Sequence, residues 1–141
     1  MRIAIFGTGG VGGYFGGRLA LSGEQVVFIA RGRHLRAMQE EGLRVESIKG
    51  DFTIKPVHAT HDPAQAGEVD VVLLGVKAWQ VREAAEAMLP MVGANTLVVP
   101  LQNGVDASDQ LAEVLGQDQV LGGLCRISSY GAAPGLVRHT G

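Results

Sequence analysis

The sequence is short of three things, and each shortage excludes something. Cys125 is the single cysteine among 141 residues, which rules out an internal disulfide and a thiolate metal cluster. Only 18% of residues are charged, and 12 Lys and Arg against 14 Asp and Glu leave a formal net charge of -2. That balance gives no general attraction to nucleic acid or to an anionic membrane. No apolar run approaches the roughly 18 residues of a membrane-spanning helix. Met1 leads directly into a strand pattern without a basic leader, so neither a signal peptide nor a membrane span is expected, and the location expected is cytoplasmic. There is no internal repeat and no low-complexity tail. What the chain does have is apolar residues, 46% of the total, and 21 glycines. A chain of this size buries about two thirds of its unfolded surface, and a single domain over residues 1–141 is the expectation.

The first thirty-one residues organise the rest. Arg2 to Phe6 is a short apolar strand pattern, Gly7-Thr8-Gly9-Gly10-Val11-Gly12 follows at once, Tyr14 to Leu21 has helical spacing, and Gln25 to Ala30 reads as a second strand. This is a GxGxxG fingerprint inside a β-α-β unit, the context in which it denotes a dinucleotide site. Gly7 allows the turn at the strand end, Gly9 leaves room for a pyrophosphate, and Gly12 lets helix and strand approach closely. The helix start offers free N–H groups and partial positive charge to that pyrophosphate. Gly13, Gly16 and Gly17 cost about 1 kcal/mol each against Ala in an exposed helix, so this helix is expected to lie close against a sheet.

The end of the second strand selects between dinucleotides. An NAD site places an Asp or Glu about twenty residues beyond the fingerprint to bond the ribose hydroxyls, whereas here that position holds Arg31. Arginine suits a 2′-phosphate. Arg33, His34 and Arg36 follow, and cations at a helix start oppose its dipole unless an anion sits among them. NADP is therefore the expected cofactor.

Further along, Gly32 to Gly42 suits a short helix, and Leu43 to Ile48 and Phe52 to Val57 alternate as a hairpin around Lys49-Gly50-Asp51. His58, His61 and Asp62 read as solvated loop residues rather than metal ligands. Asp62-Pro63 reads as a helix start, and Val69 to Val76 as a parallel strand buried on both faces. Lys77 stands at its carboxyl end, the edge of an open α/β sheet where ligands gather. Ala78 to Val92 is expected to be helical, with Trp79 in a packing role. Thr96 to Leu101 forms another strand, which puts Asn103 at the same edge. A helix from Asp106 or Ser108 to Leu115, a strand over Gln119 to Leu124 followed by Cys125 as a small buried hydrophobe, and a hairpin of Ile127 to Tyr130 with Leu136 to His139 complete the pattern. The class is α/β, a Rossmann-type doubly wound fold with a mainly parallel sheet.

The glycine loop, Ala30 to Leu35, Val76-Lys77-Ala78-Trp79-Gln80, Gln102-Asn103-Gly104-Val105 and Gly135 to Gly141 together resemble the ketopantoate reductase family, also called 2-dehydropantoate 2-reductases, over the length of the chain. The resemblance implies NADPH-dependent reduction of 2-dehydropantoate to pantoate, a step towards pantothenate and coenzyme A. It implies that Gly7, Thr8, Gly9, Gly10, Val11 and Gly12 hold the pyrophosphate and Arg31 the 2′-phosphate. Lys77 and Asn103 line the cofactor and substrate cleft, and Ser129 stands near the cofactor. Members of the family run to about twice this length, and their helical second domain carries the lysine that protonates the new hydroxyl. That domain is not expected within residues 1–141, so no catalytic residue is expected within this chain, and the chain by itself is expected to be inactive. A surface facing the second domain is expected to be apolar and exposed, favouring a homo-oligomer.

Two other readings stay open at this stage. One is an NADP-binding or sensing module without chemistry; the other is a relative of the 6-phosphogluconate dehydrogenases or an enzyme of another 2-oxo acid. Short-chain dehydrogenases need a Tyr with Lys four residues on, whereas Tyr14 is followed by Arg18 and Tyr130 by Pro134. A methyltransferase calls for an acid where Arg31 stands.

Overall fold

Five parallel strands form the central sheet of the protein, whose computed structural model describes residues 1–101, 106–122 and 126–141. They are β1 (Arg2–Phe6), β2 (Gln25–Ile29), β5 (Ala59–Thr60), β6 (Val69–Leu74) and β7 (Val92–Pro100), in the order β5-β2-β1-β6-β7. The chain starts in the middle of the sheet, winds outward to β2 and β5, and returns to build β6 and β7 on the other side. That reversal creates a crevice at the carboxyl ends of β1 and β6, the usual place for a ligand in this class.

Helices α1 (Gly10–Leu21), α2 (Gly32–Glu41), α3 (Pro63–Ala66), α4 (Val81–Ala87) and α5 (Asp106–Leu115) fill the connections. Each has a local cause. Asp62 Oδ1 accepts the Ala64 N–H at 2.9 Å, with Pro63 in the first helical position, so α3 is capped as the dipeptide implies. Gly42 closes α2 with φ +90°, a conformation that side chains other than glycine resist. No helix among the described residues is long and apolar enough to cross a membrane.

A second sheet joins two hairpins distant in sequence. Strands β3 (Leu43–Ser47) and β4 (Phe52–Ile54) pair antiparallel, as do β8 (Ser129–Ala133) and β9 (Leu136–His139), and β3 runs parallel to β9. Both hairpins follow from alternation and turn residues, but their union does not. The α1 helix lies between the two sheets, and its glycines form two stripes. A Cβ at Gly16 would meet Phe28 and Ile5 of the central sheet, and one at Gly17 would meet Phe52 and Val45 of the second.

Two apolar clusters flank the central sheet. On one side Phe6, Val72, Leu74 and Val98 pack with Val81, Ala85, Met88 and Leu111; on the other Ile3, Ile5 and Phe28 pack with Tyr14, Met38, Val45 and Val137.

Three sequence expectations are corrected. The helix after Lys77 is interrupted: 3-10 turns occupy Ala78–Gln80 and Leu89–Met91, and α4 covers only Val81–Ala87. Pro90 lacks the N–H a longer helix needs. Trp79 does not pack, since it is 80% exposed. Where a strand over Gln119 to Leu124 was expected, a 3-10 turn covers Gln117–Gln119 and Val120 makes an isolated bridge to Val98; residues 123–125, with Cys125, lie outside the described part. In addition β7 starts four residues before Thr96, because Val69 pairs with Val92 while Val71 pairs with Leu97. The intervening bulge is held by Thr96 Oγ1, which donates to the Val69 carbonyl at 2.6 Å and accepts the Gly93 N–H at 2.9 Å.

Candidate dinucleotide site

The site is built where β1 and β6 end. Gly7 leaves β1 with φ +93°, and a Cβ there would lie 2.7 Å from Val76 Cγ1. A Cβ on Gly12 would strike the Gly7 carbonyl oxygen, and one on Gly75 would lie 2.8 Å from that same oxygen. The loop is therefore folded against the end of β6, with the Gly75 N–H bonded to the Phe6 carbonyl at 2.8 Å. Gly9 differs from these, because a Cβ added to it meets nothing within 4 Å among the described residues. The open backbone at Gly9, beside the first turn of α1, is the approach a pyrophosphate needs.

The other loop residues are anchored. Thr8 Oγ1, buried, donates to the Ile29 carbonyl at 3.0 Å, tying the loop to the end of β2. Gly10 lies under β8, where a Cβ would strike Ser129 and Tyr130, and Ser129 Oγ donates to the Gly10 carbonyl at 2.7 Å. Val11 sits in the first turn of α1 and is half-buried.

Arg31 stands two residues past β2 in extended conformation, at the N-cap of α2, and is exposed. Arg33 is also exposed, and the first turn of α2 holds no acid. His34 turns inward: its Nδ1 accepts the Gly135 N–H at 2.9 Å, and its buried Nε2 has no hydrogen-bond partner among the described residues. Burial lowers the His34 pKa, against an opposing contribution from the Thr8 backbone. A neutral ring with an unprotonated Nδ1 fits the bond to Gly135.

Lys77 is exposed one residue beyond Val76, which packs on Gly7. Its N–H bonds to Gln80 Oε1 at 3.0 Å, fixing the turn that leads into α4. Asn103 lies outside the described residues. The geometry thus gathers the glycine loop, the Arg31 turn, Lys77 and Ser129 around one sheet edge. It adds Gly75, whose signal is legible as a glycine ending an apolar strand. His34 is a correction: expected among the cations at the helix start, it turns inward to accept the Gly135 N–H and burial disfavours its charge, because packing of distant segments encloses it. His58, His61 and Asp62 are not gathered into a metal site: among the described residues no group of three His, Cys, Asp or Glu is placed to hold a metal ion.

The open backbone at Gly9 and the cations at α2, which have no ion-pair partner among the described residues, suit an elongated anionic ligand. The residues fit a dinucleotide.

A family model described as Ketopantoate reductase PanE/ApbA matches residues 3–141. The 2-dehydropantoate 2-reductase of Nostoc sp. is 36% identical over 138 residues, 98% of this chain and 43% of that protein. Among solved structures, the 2-dehydropantoate 2-reductase of Geobacter metallireducens GS-15 superposes with a TM-score of 0.95 at 38% identity, covering 100% of this chain and 46% of that one. A D-mandelate dehydrogenase in complex with NADH matches at 25% identity and a TM-score of 0.85, covering 100% of this chain and 44% of its own. The chain spans less than half the length of each of these three relatives.

Proposed function

The chain belongs to the ketopantoate reductase family, and from that premise we propose that residues 1–141 form the dinucleotide-binding domain of an NADPH-dependent reductase that converts 2-dehydropantoate to pantoate, on the route to pantothenate and coenzyme A. The observation that carries the reading is the junction of three segments at one sheet edge: the Gly7 to Gly12 loop, the Arg31 turn and the end of β6. Bound NADPH supplies a hydride for the keto carbon of a 2-oxo acid.

The chain's own residues divide the remaining work. Backbone N–H groups at the start of α1 hold the pyrophosphate, with Gly9 leaving it room and Gly10, Val11 and Thr8 keeping the loop in shape. Arg31 takes the 2′-phosphate in a charge-assisted, two-pronged contact. Lys77 and Asn103 line the cleft and orient the substrate carbonyl, Lys77 offering positive charge where negative charge develops. Ser129 keeps the β8 strand against the loop, beside the cofactor. A general acid has to reach the new alkoxide within hydrogen-bond distance; we assign it to a lysine of the second domain of the relatives, so the chain alone binds without turnover.

Fluorescence titration of the chain with NADPH, followed by displacement with adenosine 2′,5′-bisphosphate, tests the binding half. Saturable binding that the bisphosphate reverses is expected, and its absence would contradict the proposal. The NADH carried by the D-mandelate dehydrogenase neighbour favours one second reading, an NADH enzyme of another 2-oxo acid. Preference for NADH over NADPH in the same titration would select it.

A further inference from the structure

The β8–β9 hairpin comes from the far end of the chain and lies over the glycine loop. Added Cβ atoms at Gly10 and Gly13 would strike Ser129 and Tyr130 of β8 and Val137 of β9, and Ser129 Oγ donates to the Gly10 carbonyl. The turn of this hairpin is fastened on two sides. Gly135, buried and at φ +74°, accepts the Arg44 N–H at 2.8 Å on its carbonyl and donates its own N–H to His34 Nδ1 at 2.9 Å. His34 stands in the first turn of α2, in the same segment as Arg31 and Arg33, and its ring also lies beside the Thr8 backbone. One side chain therefore joins the helix that carries the exposed cations, the hairpin turn and the glycine loop.

We propose that neutral His34 is a positioning residue for the dinucleotide: it holds the hairpin on the glycine loop, and its protonation releases the hairpin and weakens dinucleotide binding. The neutral ring accepts at Nδ1, whereas a protonated ring carries N–H groups at both nitrogens and has no acceptor. Nδ1–H would then meet the Gly135 N–H, and a buried glycine amide would lose its partner. The charges around the ring do not favour its protonation. Arg31, Arg33 and Arg36 share α2 with it, while Glu40 and Glu41 stand at the other end of that helix. Glu46 of β3 is held by Arg44 and by Arg138 of β9, and Tyr130 of β8 accepts from Arg138. His139 of β9 is bonded to Ser47 and stacked on Tyr14 of α1, and Arg18 of α1 lies over Phe52. The glycine loop, β2 and β5 carry no titratable side chain. Burial, which opposes the charged ring, outweighs the Thr8 backbone, which favours it, so the ring charges only below the ordinary histidine value of 6.5. Binding that needs the neutral ring is complete above that value and is lost as the pH falls through the folded one.

The proposal rests on the dinucleotide reading of the glycine loop. Saturable binding of NADP+ by the wild type at pH 7.5 is therefore read first; its absence would overturn that reading and the proposal with it, whereas a failure confined to the pH comparison overturns only the role of His34. NADP+, which withstands acid, is titrated calorimetrically into the wild type, His34→Asn and His34→Leu between pH 5 and 7.5, with the folded fraction taken from circular dichroism. The 2′-phosphate titrates by itself with a pKa of about 6, so each pH is read as the ratio of the wild-type to the His34→Asn dissociation constant. Asn presents a carbonyl oxygen where Nδ1 stands and does not protonate, so at pH 7.5 it is expected to bind within about twofold of the wild type, and Leu, without an acceptor, about fivefold more weakly. The ratio is expected to rise about fivefold from pH 7.5 to 5. A constant ratio would overturn the proposal, as would wild-type affinity in His34→Leu. A measurement on the wild type alone decides it even where the variants do not fold. Binding that prefers the neutral ring lowers the NMR titration midpoint of His34 when NADP+ saturates the protein, and an unchanged or raised midpoint would overturn the proposal.

Discussion

Gly9 and Gly12 are three residues apart in one loop and are predicted to fail in opposite ways. A Cβ at Gly12 meets backbone, the Gly7 carbonyl oxygen, whereas one at Gly9 meets open space. Overpacking against a fixed backbone costs about 1–3 kcal/mol, so Gly12→Ala is expected to lower the melting temperature by several degrees, about 2–4 °C per kcal/mol. Gly9→Ala is expected to melt as the wild type does and to bind NADPH at least about tenfold more weakly, because its methyl group occupies the pyrophosphate approach. Thermal melts by circular dichroism and NADPH titration of both variants separate the two effects. His34 supplies a pH prediction at the same scale. Burial lowers its folded pKa below the ordinary histidine value of 6.5, so the unfolded chain binds more protons than the native one in the window just below that value. Stability therefore rises with pH through that window and is lost on acidification. Melting temperatures between pH 5 and 7.5 are expected to show this slope in the wild type and a flatter one in His34→Gln. An equal slope in both would contradict the role given to His34.

Among the elements, α2 is the one whose charge is out of balance. Arg31 and Arg33 crowd its positive end, and its first turn holds no acid. Anions at a helix N-terminus contribute about 0.3–1 kcal/mol at exposed sites, so phosphate is expected to raise the melting temperature more than chloride at matched ionic strength, and Arg31→Ala is expected to remove most of the difference. The elements also show where sequence reading succeeds. β1, the glycine turn, α2 and the first hairpin are legible because each is set by local chemistry: a short apolar run, a glycine at positive φ, alternation around a turn; the second hairpin is legible in kind, but its first strand lies at Ser129–Ala133 and not Ile127–Tyr130, so that only Pro134 and Gly135 turn. The α1 helix begins at Gly10 rather than Tyr14, since glycines give no helical signal although they occupy its first turns. The early start of β7 escapes for a related reason: the bulge held by Thr96 lengthens the strand through a contact with Val69, 27 residues away. Trp79 was misjudged because helical spacing was extended across a turn that Gln80 closes with its side chain.

At the scale of the whole molecule, tertiary contacts decide what local pattern cannot. The parallel union of β3 with β9 spans some ninety residues and brings Gly135 to His34 and Ser129 to Gly10, which is why the clamp on the glycine loop was not foreseen although the loop itself was. Of the candidate site, the glycine fingerprint, Arg31 and Lys77 are readable from spacing alone. Ser129 is readable only through the family resemblance, and Asn103 lies outside the described residues. Stability and binding are expected to separate across the sheet. Leu111 is fully buried in the α5-side cluster and supplies no atom to the loop, so Leu111→Ala should cost about 2–5 kcal/mol in urea unfolding and leave the NADPH affinity of the folded fraction unchanged. The central claim is that this chain is a dinucleotide domain whose Arg31 turn selects the 2′-phosphate. Its most direct test is calorimetric titration of the wild type and Arg31→Ala with NADPH and NADH in parallel. Tighter binding of NADPH than of NADH is expected in the wild type, with that preference lost in the variant and NADH binding unchanged. Equal affinities in the wild type, or a preference that survives Arg31→Ala, would contradict it.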